Sequence, residues 1–180
     1  MSVTNKNEVV RLDAKTGASK GAPIPVGKAP GGLVPVGTTL YVANASDRTI
    51  SSIDMTSGQV FGDPIKVPSS ADLGGMDIAE GTLWVGTNDN SVTPIDAQSH
   101  AIGTPVKVQG ASYFNPSVVG LWLAYPNNDL LELLEPTEPY EKKGDPIRGV
   151  AKSASDMDSD ERFLYIANGR LNTVTKVKFD

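Results

Sequence analysis

Cysteine is absent from the 180 residues, which excludes disulfides, thiolate metal sites and thiol catalysis. The chain has a single histidine, His100, so no histidine-cluster metal site can be built within one copy. Basic residues are in deficit: 16 Lys and Arg stand against 21 Asp and Glu, a formal net charge of −5. A generic nucleic-acid binder needs a basic face to displace counterions from phosphates, so no nucleic-acid partner is expected. The same deficit argues against docking on anionic lipid. No run approaches the roughly 18 consecutive apolar residues of a membrane span, so no membrane insertion is expected. Met1–Glu8 holds no apolar stretch of the signal-peptide kind. The compartment stays open, because cysteine-free chains suit both export and the cytoplasm.

What is plentiful is punctuation. Eighteen glycines and 13 prolines imply many turns, and with few helix-like runs they point to an all-β chain. One phrase dominates. Gly21-Ala22-Pro23-Ile24-Pro25-Val26 recurs as Gly62-Asp63-Pro64-Ile65-Lys66-Val67, as Gly103-Thr104-Pro105-Val106-Lys107-Val108 and as Gly144-Asp145-Pro146-Ile147-Arg148, each 41 residues after the last. Leu40-Tyr41-Val42-Ala43-Asn44 likewise returns as Leu83-Trp84-Val85-Gly86-Thr87, Leu121-Trp122-Leu123-Ala124-Tyr125 and Leu164-Tyr165-Ile166-Ala167-Asn168. A β-branched stretch follows each, as in Thr49–Asp54, Ser91–Asp96 and Thr173–Val177. The leucines of Asp129–Glu135 could read as a helix, but the register of the flanking phrases makes them a strand.

Each repeat therefore reads as four short strands: a (small residues), b (the aromatic), c (ending in Asp) and d (Pro-Ile-x-Val). A period of 41 with this pattern fits a blade of a β-propeller. Residues 31–69, 75–109 and 116–150 read as three complete blades. Residues 1–30 supply strands c and d, and 154–180 supply a, b and c, giving about four blades in one repeat domain. Two closures follow. Either the terminal pieces join into a fourth blade, or the chain is a partial propeller, excised or engineered from a longer parent, that closes as a homodimer. The partial propeller is the expectation.

The phrases Leu40–Asn44 with Thr49–Asp54, and Asp158–Asn168 with Asn172–Val177, resemble the YVTN/NHL-like propeller repeats of bacterial surface and secreted proteins. The Gly-x-Pro-Ile-x-Val phrase looks like the extracytoplasmic propellers of actinobacterial Ser/Thr kinases. The resemblance implies a propeller fold and an extracytoplasmic parent. It leaves function open, because the matching residues are core and turn positions.

In a propeller the b–c and d–a loops share one face around the axis. Asn44, Arg48, Asn88, Asn90, Asn128, Arg170 and Asn172 fall in or beside the b–c loops, and would give that face a polar, hydrogen-bonding mouth. Turn formation alone also explains Asn and Asp there. Tyr113 and Phe114, with Asn115, fall where other repeats carry small residues in the d–a loop; an exposed aromatic pair could anchor a partner, or fill a gap. The expected function is a non-catalytic binding or assembly scaffold, with a small molecule, glycan or peptide at this face. The alternatives are a small propeller lyase using His100 and an extracytoplasmic kinase sensor domain. Streptogramin-lyase propellers, which the repeats also resemble, use a histidine, but His100 sits in a c–d turn outside any matching phrase. Asp156, Asp158 and Asp160 alternate as in a calcium loop, yet Glu161 and Ala167 stand where such a loop needs Gly and Glu. No nucleophile–base pair is visible, and no cofactor or metal is expected.

Overall fold

A computed structural model describes residues 1–111 and 113–179. Five antiparallel sheets follow one another along the chain, each built from strands adjacent in sequence. The first holds β1 (Ser2–Val3), β2 (Glu8–Val9) and β3 (Ile24–Pro25). The second holds β4 (Pro30–Val36), β5 (Thr39–Asn44), β6 (Thr49–Asp54) and β7 (Gln59–Lys66). The third holds β8 (Leu73–Ala79), β9 (Thr82–Thr87), β10 (Ser91–Asp96) and β11 (Val106–Lys107). The fourth holds β12 (Tyr113–Ser117), β13 (Gly120–Tyr125), β14 (Leu130–Leu134) and β15 (Ile147–Arg148). The fifth holds β16 (Ala154–Ser159), β17 (Phe163–Asn168) and β18 (Thr173–Lys178). The Pro-Ile-x-Val phrase supplies β3, β11, β15 and the end of β7, and the leucine run is the strand β14. In the first sheet β1 precedes the c and d strands, pairing Ser2 with Val9 and Val3 with Glu8. Two residues are too few to show a period-two signal, so the sequence does not announce β1.

Two compact units divide the chain, residues 1–77 with 81–105 and residues 78–80 with 106–180. The first carries the sheets β1–β3 and β4–β7, and the second carries β12–β15 and β16–β18. In the first, Val9, Ile24, Val42 and Ile53 form a buried cluster against which Leu33 and Leu40 pack. In the second, Trp122, Leu131, Met157, Leu164 and Ile166 do the same. Each fully buried aliphatic side chain contributes roughly 1.5–3 kcal/mol. In the second to fourth sheets the b and c strands are buried almost without alternation, as in β9 and β10, whereas β17 alternates and β18 is largely exposed; the outer β7 is exposed except at Ile65. Tyr41, Trp84 and Trp122, at one repeat position, are buried core, whereas Tyr165 is only half-buried.

Two turn devices recur. Before strand c, Asn7, Arg48, Asn90, Asp129 and Asn172 all adopt left-handed backbone, with φ between 50° and 61°. Asn and Asp tolerate that region best, which is why they crowd these loops. After strand c, an aspartate caps the turn: Asp13 accepts from the Thr16 amide at 2.9 Å, Asp54 from Ser57 at 2.6 Å and Asp96 from Ser99 at 2.6 Å. The residue after each Ser or Thr is left-handed: Gly17, Gly58 and His100.

Candidate functional site

The structure separates the mouth residues into two kinds. Arg48, Asn88, Asn90, Asn128, Arg170 and Asn172 are exposed in their b–c turns. Arg48 donates from Nη1 to the Ser69 carbonyl at 3.0 Å, tying its turn to the following d–a loop. Asn44 is different. It closes β5 fully buried, and its amide is engaged inside the fold. Its Oδ1 accepts from the Gly27 amide at 3.1 Å, and its Nδ2 donates to Thr49 Oγ1 at 3.1 Å and Ser51 Oγ at 2.9 Å. Asn168, at the same repeat position, donates to Thr175 Oγ1 at 2.9 Å. These asparagines clamp strand b to strand c. Asn115 is buried as well.

Of the two roles the sequence left open for Tyr113 and Phe114, an exposed anchor or a filled gap, the structure shows no fully exposed loop pair. They open β12, where they pair with Ala124 and Leu123, and both are half-buried. Tyr113 packs against the core of the second unit. Strand β12 begins at the same place in its repeat as β16 does in the next, so the aromatics belong to strand a and not to the loop before it.

Tyr113 also forms one wall of a cleft of about 330 Å³ in the second unit. Pro126 and Asn127, before β14, form another part, with Gly169 and Arg170 beyond β17. The loop before β16 contributes Lys152 and Ser153, and β16 itself contributes Ser155. A β-bulge between Ala154 and Asp156 leaves Ser155 out of the pairing register with β17, and bulges of this kind re-aim side chains. The Gly169 amide donates to the Ser153 carbonyl at 3.1 Å, and Ser155 Oγ donates to the Ala167 carbonyl at 3.1 Å. A Cβ on Gly169 would lie 3.1 Å from Ser155 Oγ, so a side chain there would crowd the wall.

The charge of this cleft runs against that of the chain. Lys152 and Arg170 are exposed on its rim, no acidic residue lines it, and neither cation makes an ion pair among the described residues. Ser153 Oγ is buried and lacks a hydrogen-bond partner among the described residues. A buried hydroxyl left so costs about 1–3 kcal/mol, which a ligand atom would recover. Of the residues singled out from sequence, Tyr113 and Arg170 meet in this cleft. The sequence reading missed Lys152, Ser153 and Ser155. The register places Lys152 and Ser153 in the fourth d–a loop and Ser155 at the start of strand a, but it does not show that they meet Tyr113 and Arg170.

His100 occupies a turn position, as its alignment with Gly58 implied. Its ring stands edge-on to Tyr41, centroids 6.0 Å apart at 87°, and Nε2 lies 3.3 Å from the Tyr41 hydroxyl. Of the acidic run, Asp160 caps the a–b turn, accepting from the Arg162 and Phe163 amides at 2.8 Å and from the Tyr165 hydroxyl at 3.0 Å. The Arg162 amide foremost holds its carboxyl below the ordinary range.

No family model matches the chain, and no curated protein matches it. Solved structures do. The chain is similar to the computationally designed Ika4 protein, with a TM-score of 0.65 and 13% identity over 84% of this chain and 92% of that one. It is similar to the computationally designed Ika8 protein, with a TM-score of 0.69 and 12% identity over 97% of this chain and 53% of that one. BamB from Moraxella catarrhalis gives a TM-score of 0.70 and 16% identity over 98% of this chain and 53% of that one. The chain thus spans about half the length of Ika8 and of BamB. No evidence singles out the YVTN/NHL family. These neighbours are β-propellers, and with the five successive antiparallel sheets they establish that this chain has a β-propeller fold.

Proposed function

We propose that the chain is a non-catalytic β-propeller scaffold that recognises a small ligand bearing a carboxylate in the cleft between Tyr113 and Arg170. The observation that carries this reading is the buried, unpartnered Ser153 hydroxyl beside two unpaired cations in a chain of net negative charge. A carboxylate accepts from a hydroxyl and from Arg or Lys at once, and charge-assisted bonds of this kind are the strong ones. The Tyr113 ring supplies a flat apolar wall for the rest of the ligand. The test is a titration followed by amide NMR, using an acetylated tripeptide with a free carboxyl end and its C-terminal amide as the neutral twin. Shifts at Ser153, Gly169 and Arg170 with the acid, reduced for the amide and lost in Arg170→Gln, are expected. Equal responses to acid and amide, or none at these amides, would overturn the reading.

Self-association is a second reading. It is supported by the outer edge of β18, which among the described residues pairs with β17 alone, whereas β6, β10 and β14 each have a fourth strand beside them. Sedimentation should then show mass rising with concentration; the mass of one chain throughout would rule it out.

A further inference from the structure

A second cavity, of about 420 Å³, lies in the first unit, between the sheets β1–β3 and β4–β7. Its floor is apolar: Val9 and Ile24 from the first sheet meet Leu40 and Ile53 from the second. At its mouth Leu12 is 40% exposed and Met55 39% exposed, so the apolar surface continues outward. Large apolar side chains gathered at one opening mark a binding surface more often than scattered ones do. Methionine adapts its shape to what it covers.

Two cationic side chains share that mouth, Arg11 and Lys20, and no acidic residue lines the cavity. Arg11 makes no ion pair and no side-chain hydrogen bond among the described residues. Arg11 is exposed, and its guanidinium lies close against two glycines. A Cβ on Gly21 would lie 3.0 Å from one of its nitrogens, and a Cβ on Gly58 would lie 2.8 Å from its central carbon. Both glycines have positive φ, 85° and 73°, and both belong to turns beside the cavity. The absence of two side chains therefore makes the seat in which this cation rests.

We propose that this cavity binds an amphipathic monoanion, an aliphatic carboxylic acid whose chain lies on Val9, Ile24, Leu40 and Ile53 and whose head meets Arg11. Charge complementarity selects the acid over a neutral lipid, and the dry floor selects a chain over a small oxyanion. The volume falls within the roughly 300–1,000 Å³ of small-molecule pockets. This site is separate from the cleft of the second unit and stands or falls without it.

The probe is decanoate below its micellar concentration, with 1-decanol as the same chain without charge and acetate as the head without a chain. Calorimetry gives affinities, and methyl NMR reports on Val9, Ile24, Leu40 and Ile53. Decanoate should bind, shift those methyls and outcompete decanol, while acetate does neither. Arg11→Gln should weaken decanoate roughly tenfold or more and leave decanol unchanged. Leu12→Asp, which places a negative charge at the mouth, should act in the same direction, with the thermal midpoint reporting that the fold is intact. No decanoate binding, methyl shifts elsewhere, or equal affinity in the wild type and Arg11→Gln would overturn the proposal.

Discussion

Tyr41 and His100 stand edge to face across 59 positions of sequence, joining strand b of the second sheet to the c–d turn that follows β10. The Tyr41 hydroxyl donates to the Ala97 carbonyl at 2.5 Å, in that same turn. Burial foremost, then the negative charge of Asp96, keeps this hydroxyl protonated to higher pH than usual. His100 takes a left-handed φ of 61°, where its counterparts are glycines, so its ring has a structural use in this contact.

Tyr41→Phe should therefore cost stability at unchanged volume. The Ala97 carbonyl loses its donor in a buried place, at about 1–2 kcal/mol. Urea unfolding would measure it; a loss under about 0.5 kcal/mol would mean that solvent replaces the bond.

The Asn44 clamp predicts a coupling. An added Cβ on Gly27 would come within 2.6 Å of Asn44 Cγ, so Gly27→Ala should destabilise the wild type by about 1–3 kcal/mol as an overpacked contact. The added Cβ would also lie 2.8 Å from Asn44 Cβ, so only an Asn44→Gly background removes that clash, and there the same change should cost much less. The double-mutant cycle should give an interaction energy on the order of 1 kcal/mol, and strict additivity would show that the two residues do not meet as described.

Acid should loosen the c–d turns together. The amides of Thr16, Ser57 and Ser99 foremost hold Asp13, Asp54 and Asp96 below their ordinary value of 3.8. Asp89 is lowered too, first by the hydroxyl of Ser91 and then by that of Thr87. Since the folded-state values are depressed, the unfolded chain takes up protons first. The stabilisation is whole above the unfolded value and is lost as pH falls through the folded ones. The urea midpoint should be flat from about pH 7 to about pH 5 and fall below about pH 4. The drop should shrink in Asp96→Asn, while a midpoint constant into strong acid would contradict the role of these carboxylates.

The sequence by itself determined the repeat, the strand order within it and the turns. Those depend on period-two alternation, on proline and glycine, and on aspartate capping its own neighbours, all of which act over a few residues. Recurrence alone also marked the aromatic column of Tyr41, Trp84, Trp122 and Tyr165 as core; the first three are buried and Tyr165 is half-buried. Only the tertiary structure decided what each asparagine does. Asn44 and Asn90 look alike in the chain, but Asn44 ends strand β5 facing inward and Asn90 turns outward in left-handed backbone. The two cavities were equally out of reach. Lys152 meets Tyr113 and Arg170, and Arg11 rests against Gly21 and Gly58, through contacts between separate strands and loops. Local pattern carries backbone conformation, whereas a site is a set of distances between elements, and those are fixed when the sheets pack.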